Sequence, residues 1–259
     1  MATALPNPTD LWVKTLGWQP NSAQRQAFQQ LYEALVQVNQ QINLTRITTP
    51  EDFWEKHLWD ALQGLAPWLA GKADDELQTT SSDSPQRDKF KVIDIGTGGG
   101  FPGLPAALVF PKWQVSLMDS TRKKIAAIET MVTTLGLSNV TLLAERAEHV
   151  GHQPIHREAF DLALIRAVGS TNTCAEYALP LVKPGGRIVL YRGQWDPAEA
   201  GDLNAVLPRL GGKLLQVRRM ETPMTQGIRH YVDVRKVDRT PDTFPRSPGI
   251  PAKSPLRGS

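Results

Sequence analysis

The sequence predicts an α/β fold: a mostly parallel, seven-stranded sheet with helices on both faces, preceded by a helical extension. Two observations favour this fold. Beyond residue 90, short apolar runs typical of buried strands alternate with helical segments, which is the pattern of a parallel sheet. The first run, residues 92–95, breaks into the glycine-rich stretch 96–103, as in a strand–loop–helix unit that approaches a ligand closely.

The helical extension is predicted from two patterns. Apolar residues recur at spacings of three and four from Phe28 to Ile42, which predicts a helix that begins at Ser22. A second helix is expected to begin after Thr49, an N-cap residue that is followed by Pro50 and by two acidic residues in the first turn.

The sheet region contains seven predicted strands and the helices that connect them. The strands are expected at residues 92–95, 114–118, 140–143, 161–165, 187–191, 213–218 and 230–235. Helices are expected from Pro102 onward and at residues 121–135, 171–182 and 197–210. Five βα units closed by a hairpin-like pair resemble the sheet of class I methyltransferases, a Rossmann-like fold.

Composition divides the chain into four parts. Residues 1–70 are the helical extension, and residues 91–237 are the sheet domain. Between them, residues 71–90 hold too few apolar side chains to fold, and they are interpreted as a linker or loop. Residues 238–259 are basic and rich in proline, which predicts an extended tail.

The bulk properties favour an intracellular location. One cysteine excludes an intramolecular disulfide and indicates a reducing compartment. Residues 1–10 lack the basic and apolar regions of a secretory signal, and no apolar run approaches the roughly 20 residues that span a bilayer. We therefore expect a cytoplasmic protein without membrane contact, and we further expect a monomer without a bound metal.

Positive charge is concentrated near the C-terminus. The formal net charge is +3, yet residues 213–259 hold ten Lys and Arg against four Asp and Glu. A basic segment on a nearly neutral body favours a polyanionic partner, most simply nucleic acid. The alternative is a solvated, weakly ordered tail.

The glycine-rich stretch overlaps the fingerprint of a dinucleotide-binding unit, but two details differ. Asp94 lies inside the strand, where a nicotinamide-binding fold usually has an apolar residue. Phe101 and Pro102 are bulky at the start of the helix, where a pyrophosphate needs bare N–H groups. A ligand with a ribose and an amino acid portion but no phosphate fits better, and S-adenosylmethionine is such a ligand.

Ligands of an open parallel sheet lie beyond the carboxyl ends of its strands. After the second strand come Asp119, Ser120 and Thr121, where a carboxylate can accept hydrogen bonds from both ribose hydroxyls or can cap the next helix. After the third strand come Ala147 and Glu148, in the loop that borders the adenine in class I methyltransferases. The alternative is that the acidic residues of this loop, Glu145 and Glu148, are exposed charges that do not contact a ligand.

The segment after the fourth strand, which includes Arg166, limits which atom of a base could accept the methyl group. It lacks the Asn/Asp-Pro-Pro-aromatic loop that is usual for methylation of an exocyclic base amine. Methylation of a pyrimidine carbon needs a cysteine nucleophile, and Cys174 lies within a predicted helix where a buried core residue is expected. A ring nitrogen such as guanine N7 needs neither device, since its lone pair is free at neutral pH. Arg166 could then orient the cofactor carboxylate or the guanine, unless it is a plain salt-bridge residue.

Seven segments of the chain share their pattern with a known family. They are Asn43-Leu-Thr45, His57 with Asp60, Asp94-Ile-Gly-Thr-Gly-Gly-Gly-Phe-Pro-Gly103, Met118-Asp-Ser120, Arg146-Ala-Glu148, Arg166-Ala-Val168 and Phe244-Pro-Arg-Ser-Pro-Gly-Ile-Pro-Ala-Lys-Ser-Pro255. Together they resemble the RsmG (GidB) family, whose members methylate guanine N7 in 16S ribosomal RNA. The resemblance spans about residues 25–256 and departs from the family at Ala61, where a serine is usual.

This resemblance implies S-adenosylmethionine as the cofactor and 16S ribosomal RNA, free or in a 30S assembly intermediate, as the substrate. It implies no general base, so no catalytic side chain is assigned. The tail and the helical extension are expected to hold RNA phosphates. The implied cofactor contacts are Gly96, Phe101, Asp119, Ser120, Thr121, Ala147, Glu148 and Arg166, and the candidate RNA contacts are Arg166, Arg246 and Lys253.

Other interpretations stay open. The chain could be a small-molecule methyltransferase, a non-catalytic RNA-binding protein that retains cofactor affinity or, least favoured, a nicotinamide oxidoreductase. His57 lies on a predicted helix with Trp54 and Trp59, and it is interpreted as a packed core residue rather than a catalyst.

Overall fold

The computed structural model describes residues 4–71 and 89–258. Within these residues, seven strands form one sheet in the order β3-β2-β1-β4-β5-β7-β6. The strands are β1 (Lys91–Ile95), β2 (Gln114–Met118), β3 (Val140–Leu143), β4 (Phe160–Arg166), β5 (Val182–Arg192), β6 (Gly212–Glu221) and β7 (Ile228–Lys236). β7 runs antiparallel to both of its neighbours, and the other pairs are parallel. The predicted mostly parallel, seven-stranded sheet is confirmed.

The strand order reverses at the centre of the sheet. β1 pairs with β2 on one side and with β4 on the other, so the chain leaves β1 towards one edge and later returns to the opposite side. In sheets of this kind, ligands bind in the crevice beyond the carboxyl ends of the two central strands. The loops that follow β1 to β4 therefore define where a site is expected.

Both faces of the sheet are covered by an apolar core. Val92 packs on one face with the N-terminal helices, while Ile93 and Ile95 pack on the other face with the helices that follow β3 and β4. This division follows from the pleat of a strand, in which successive side chains point to opposite faces. Burial on both faces explains why β1, after the exposed Lys91 at its start, is apolar apart from Asp94.

The helices before the sheet form what we call the helical arm, residues 9–69. Asn21 caps the second helix through a capping box with Gln24, and Thr49 caps the third, so the predicted starts of both are confirmed. A π-helical turn, Trp54–Trp59, joins the third helix to the fourth. The helices are α1 (Thr9–Leu16), α2 (Ser22–Asn39), α3 (Pro50–Phe53), α4 (Asp60–Gly64) and α5 (Ala66–Leu69).

α2 ends three residues before Ile42, earlier than its apolar spacing predicts. The side chain of Asn39 accepts hydrogen bonds from the amides of Leu44 (2.8 Å) and Thr45 (3.0 Å), which fix the chain in a turn after the helix. Asparagine side chains commonly compete in this way with the helical hydrogen bonds.

The helices after β1 alternate with the strands. They are α6 (Gly103–Val109), α7 (Arg122–Thr134), α8 (Ala147–Val150), α9 (Thr171–Ala178), α10 (Pro197–Val206), which continues in the 3-10 turn Leu207–Leu210, and α11 (Ile250–Lys253). None of the helices in the described part of the chain is long and apolar enough to cross a membrane.

The predicted boundary between α9 and β5 is wrong. α9 ends at Ala178 and β5 begins at Val182, whereas the predicted helix ran to residue 182 and the predicted strand began at residue 187. Pro180 cannot continue a helix, because it lacks an N–H and its ring clashes with the preceding turn. The pairing of β4 with β5 is irregular at this point, which accommodates the proline and glycine residues of early β5.

The prediction of an extended tail is also wrong. The described part of the tail folds back onto the domain, where it buries Pro251 and Leu256 and forms the short helix α11. Of the predicted linker, residues 72–88 lie outside the described residues.

Candidate functional site

The loop after β1 is braced by a buried acid. Asp94 Oδ2 accepts hydrogen bonds from the hydroxyl of Thr97 (2.6 Å) and from the amide of Gly103 (2.8 Å). Burial raises the pKa of Asp94 to about 6, although both hydrogen bonds favour the charged form. The residue that separated this loop from a dinucleotide fingerprint thus ties the two ends of the loop together.

The loops after β1 and β4 touch at Gly96. Its φ of 69° lies in the left-handed region, and a Cβ here would lie 2.5 Å from Cγ2 of Val168. Glycine is therefore required both by the backbone conformation and by the neighbouring side chain. This contact brings the segment after Arg166 against the glycine loop.

Asp119 links the loop after β1 to the loop after β2. Its Oδ2 accepts from the amide of Gly98 (3.1 Å), and its Oδ1 accepts from the amide of Thr121 (2.8 Å), while Lys124 Nζ lies 3.5 Å from Oδ2. Thr121 is the N-cap of α7, so the acid does support the start of that helix. Because a carboxylate oxygen can accept two hydrogen bonds, both oxygens keep the capacity to bind a ligand hydroxyl.

A cavity of about 160 Å³ opens at the carboxyl ends of the central strands. It brings together Gly96, Asp119, Ser120, Ala147 and Glu148, five of the residues predicted to contact the cofactor. Val168 and Tyr177 also line it, and the sequence reasoning missed both. Val168 lies within a quoted family segment, whereas Tyr177 is an ordinary helical position of α9 and carries no local signal.

Glu148 is a buried carboxylate of the cavity wall. Its Oε1 accepts hydrogen bonds from the hydroxyl of Tyr177 (3.2 Å) and from the amide of Gly249 (2.9 Å). Burial, and then the charge of Glu148, raise the pKa of Tyr177 to about 12, so the phenol remains a hydrogen-bond donor. Glu145 is the exposed acid of this loop: it lies at the surface beside His149, and it also lines the cavity.

Arg166 lies at the end of β4 and faces the helical arm. Its Nη1 donates to Asp60 Oδ2 (2.8 Å) and to the carbonyl oxygen of Lys56 (2.9 Å). The centre of its guanidinium lies 6.0 Å from the ring centroid of Phe101. The salt-bridge interpretation of Arg166 thus describes its contacts in this structure, and those contacts hold it beside Phe101.

His57 completes this group from the π-helical turn. Its ring stacks on Phe101 at a centroid distance of 4.2 Å, with Nδ1 lying 3.3 Å from Nη2 of Arg166 and Nε2 lying 3.0 Å from Oγ1 of Thr45. Arginine can only donate, so Nδ1 is the acceptor and the Nε2 proton points to Thr45. Burial, and then the charge of Arg166, lower the pKa of His57 to about 3. The predicted packed position of His57 in the core is confirmed.

Cys174 lies on α9 and is buried. Burial raises the pKa of the thiol to about 12, so it stays protonated at neutral pH and is no nucleophile. The predicted core role of this residue is confirmed. Across residues 4–71 and 89–258, no group of His, Cys, Asp and Glu side chains is arranged to hold a metal ion.

The predicted site residues fall into three groups. Five line the cavity, whereas Thr121 is the N-cap of α7 beside it. Phe101 and Arg166 pack together with His57. The tail candidates lie elsewhere: Arg246 pairs with Glu176 of α9, and Lys253 is exposed at the end of α11.

The chain is similar to one family of curated proteins over nearly its whole length. The family model described as "GidB: rRNA small subunit methyltransferase G" matches residues 24–231. A Trichormus variabilis protein named "Ribosomal RNA small subunit methyltransferase G" is 48% identical over 256 residues, which cover 99% of this chain and 100% of the relative. A protein of the same name from Synechococcus elongatus is 47% identical over 245 residues, which cover 95% of each chain.

Solved structures show the same fold at low sequence identity. A 16S rRNA (adenine(1408)-N(1))-methyltransferase from Catenulisporales acidiphilia matches with a TM-score of 0.50 and 15% identity, covering 59% of this chain and 87% of that one. The antibiotic-resistance methyltransferase Kmr also matches with a TM-score of 0.50, at 12% identity, covering 58% of this chain and 88% of that one. The sheet described above is thus that of class I methyltransferases.

Proposed function

The chain belongs to the rRNA small subunit methyltransferase G (GidB) family, and from that premise we propose that it methylates N7 of a guanine in 16S ribosomal RNA. It is an S-adenosylmethionine-dependent rRNA methyltransferase. The proposal covers three points: that guanine N7 accepts the methyl group, which residues contact the cofactor, and whether the RNA is free or part of an assembly intermediate. The observation that carries the proposal is the cavity that joins the loops after β1, β2 and β3.

The donors and acceptors around this cavity fit S-adenosylmethionine. The loop at Gly96 lets the backbone approach the amino acid portion of the cofactor closely. Asp119 has one acceptor site left on each oxygen for the two ribose hydroxyls. Ala147 and Glu148 then border the adenine. Ser120 and Thr121 lie beside the ribose. Phe101 and Arg166 lie beyond the glycine loop.

The chemistry asks the protein for positioning more than for proton transfer. When bound, S-adenosylmethionine supplies a methyl group made electrophilic by its sulfonium sulfur. Guanine N7 already carries a lone pair, so no side chain has to remove a proton before the attack. The neutral His57 and the protonated Cys174 agree with a site that uses neither a general base nor a covalent nucleophile.

The RNA partner follows from the family, and its form is part of the proposal. We expect 16S ribosomal RNA, free or within a 30S assembly intermediate, to approach the open side of the cavity. We further expect the protein to act as a monomer and without a metal ion.

The proposal is tested by methyl transfer to 16S rRNA isolated from a strain that lacks the gene. With S-adenosylmethionine labelled in its methyl group, we expect one labelled guanosine with the chemical reactivity of N7-methylguanosine. A label on adenine or on a base carbon, or no transfer by protein that binds the cofactor, would contradict the proposal.

A variant pair links this activity to the cavity. Asp119→Asn replaces one acceptor oxygen by an NH2 group, which would face a backbone N–H of Gly98 or Thr121 and could not accept a hydrogen bond from it. We therefore expect the cofactor Kd to rise about five- to tenfold. Glu129→Gln removes the same charge from the exposed face of α7 and should leave the Kd unchanged. Equal affinities of the two variants in calorimetry would remove Asp119 from the site.

A further inference from the structure

The segment from Thr240 to Leu256, here called the strap, crosses α8 and α9 and is held by side chains of the domain. Two of these side chains, Asn172 and Thr173, are buried on α9 and point polar atoms at the strap. Arg157 donates to the carbonyl oxygens of Thr240 (2.7 Å), Pro241 (3.1 Å) and Phe244 (2.9 Å). His152 Nε2 lies 2.7 Å from the carbonyl oxygen of Pro245. On α9, Thr173 donates to the carbonyl oxygen of Pro251 (2.9 Å), and Asn172 donates to that of Leu256 (2.7 Å).

The proline content of the strap suits this mode of packing. A segment that lies on a surface without joining a sheet must satisfy its backbone groups by other means. Proline has no N–H to satisfy, and the carbonyl oxygens of Pro241, Pro245 and Pro251 all accept from the domain. The proline-rich composition that suggested an extended tail is thus equally compatible with a strap whose backbone carbonyl oxygens accept hydrogen bonds from side chains of the domain.

One ion pair anchors the middle of the strap. Arg246 Nε donates to Glu176 Oε1 (2.9 Å) and Nη2 donates to Oε2 (2.7 Å), while the backbone amide of Arg246 donates to Oε1 (2.8 Å). Glu176 is fully buried on α9, so its carboxylate depends on these donors. The charge of Arg246 is therefore engaged within the protein.

The strap also reaches the wall of the cofactor cavity. The amide of Gly249 donates to Glu148 Oε1 at 2.9 Å, on the same oxygen that receives the hydroxyl of Tyr177. Glu148 and Tyr177 both line the cavity. Gly249 has a φ of 83°, a left-handed conformation that suits glycine at this contact.

We propose that the strap is a positioning element of the cofactor site, which fixes Glu148 from behind the cavity wall and so sets the affinity for S-adenosylmethionine. This role replaces the RNA-holding role that the basic composition suggested for the same residues. The inference rests on the proposed cofactor site, and it concerns a segment that the family model does not cover, since the match ends at residue 231.

Two arginine variants of the full chain test this role. Arg246→Ala removes the anchor, while Arg239→Ala removes an equal charge just before the strap, where the side chain is 79% exposed. For R246A we expect the cofactor Kd and KM to rise about five- to tenfold, with kcat at saturating cofactor nearly unchanged. R239A should match the native protein in all three, and Arg246→Lys should recover part of the affinity.

The opposite result has a distinct signature. If both alanine variants bind S-adenosylmethionine normally but bind 16S rRNA more weakly and with a smaller salt dependence, the strap is an RNA-binding arm and the inference is overturned. Calorimetry of the native protein separates the two proposals. A native chain that does not bind the cofactor contradicts the proposed function, whereas native binding matched by R246A contradicts only the role of the strap.

Amide hydrogen exchange on the native chain gives a second readout that needs no variant. Saturation with S-adenosylmethionine should slow exchange at the amide of Gly249 at least about tenfold, because the cavity wall and the strap then open together. Exchange at Gly249 that is fast and insensitive to the cofactor would overturn the inference even if R246A fails to fold.

Discussion

His57 shows how the surroundings of one side chain determine its role. Its folded-state pKa of about 3 lies below the ordinary value of 6.5, because the ring is buried and Arg166 lies against it. A depressed pKa means that the unfolded chain binds a proton more readily than the folded chain does. The stabilisation is therefore complete above about pH 6.5 and is lost progressively as the pH falls from there towards 3.

We predict that His57→Gln flattens the pH dependence of stability. Below pH 6, the unmutated protein should lose about 1.4 kcal/mol of unfolding free energy per pH unit more than the variant. The reason is that unfolding of the unmutated protein lets His57 take up a proton, whereas glutamine cannot take one up. Urea unfolding at pH 7, 6 and 5 measures the difference. The raised pKa of Asp94 acts in the opposite sense in this range, but it is present in both proteins and cancels.

The control for this prediction is His149→Gln, since His149 is exposed on α8. This variant should keep the native pH dependence. Parallel curves for native protein and His57→Gln would show that His57 is not held neutral in the folded state.

At this scale the sequence was informative about position but not about partners. Gly96, Asp119 and Ala147 could be located because each follows a predicted strand, and the ends of parallel strands share one edge. The hydrogen bond from Gly249 to Glu148 joins residues 101 positions apart, and no local pattern indicates it. Burial of Glu148 could not be predicted for the same reason.

At the scale of elements, the helical arm is tied to the antiparallel end of the sheet. Arg218 on β6 donates from Nη1 and Nη2 to the carbonyl oxygens of Gln63 and Gly64, both at 2.9 Å, where α4 ends. Its Nε donates to Asp233 of β7, whose side chain is buried. One guanidinium thus satisfies carbonyl groups at a helix end and a buried carboxylate together.

We predict that Arg218→Ala lowers the unfolding free energy by about 3 kcal/mol, since it leaves Asp233 buried without its charged partner. The neighbouring Arg219→Ala removes an exposed arginine from the same strand and should cost less than about 0.5 kcal/mol. Urea denaturation of both variants measures the contrast. Equal losses would mean that the bond between arm and sheet contributes little.

The elements themselves were largely predictable where local signals are strong. β2 and β3 have the predicted bounds, because each is a short apolar run between turn residues. The errors at the start of β5 and in the tail arise from long-range packing. Early β5 pairs with Phe160 despite its proline and glycine residues, and the strap is held by side chains that lie far away in the chain.

At the scale of the whole molecule, the basic excess near the C-terminus is partly neutralised by the fold. Of the ten Lys and Arg in residues 213–259, at least five form ion pairs with acidic residues of the domain and the arm: Arg218, Arg229, Lys236, Arg239 and Arg246. Clustered charge in the sequence therefore overstates the charge that is available to RNA.

We predict different salt dependences for the two ligands. Raising the salt concentration from about 50 to about 200 mM should weaken binding of 16S rRNA about 20-fold or more, which corresponds to three or more phosphate contacts. The Kd for S-adenosylmethionine should change far less, since that ligand carries no phosphate. Filter binding of RNA and calorimetry of the cofactor measure the two slopes, and a small-molecule methyltransferase would show no steep slope at all.

The contact between Gly249 and Glu148 also bears on the order in which the protein is made. Translation produces Gly96, Asp119 and Ala147 well before Gly249, so a growing chain passes through a stage in which the parallel strands exist but the strap does not. During that stage Glu148 lacks the amide of Gly249, and Glu176 lacks the amide and guanidinium of Arg246. On this view a nascent chain binds its cofactor more weakly than the finished protein, and full affinity is reached only after synthesis has passed the strap.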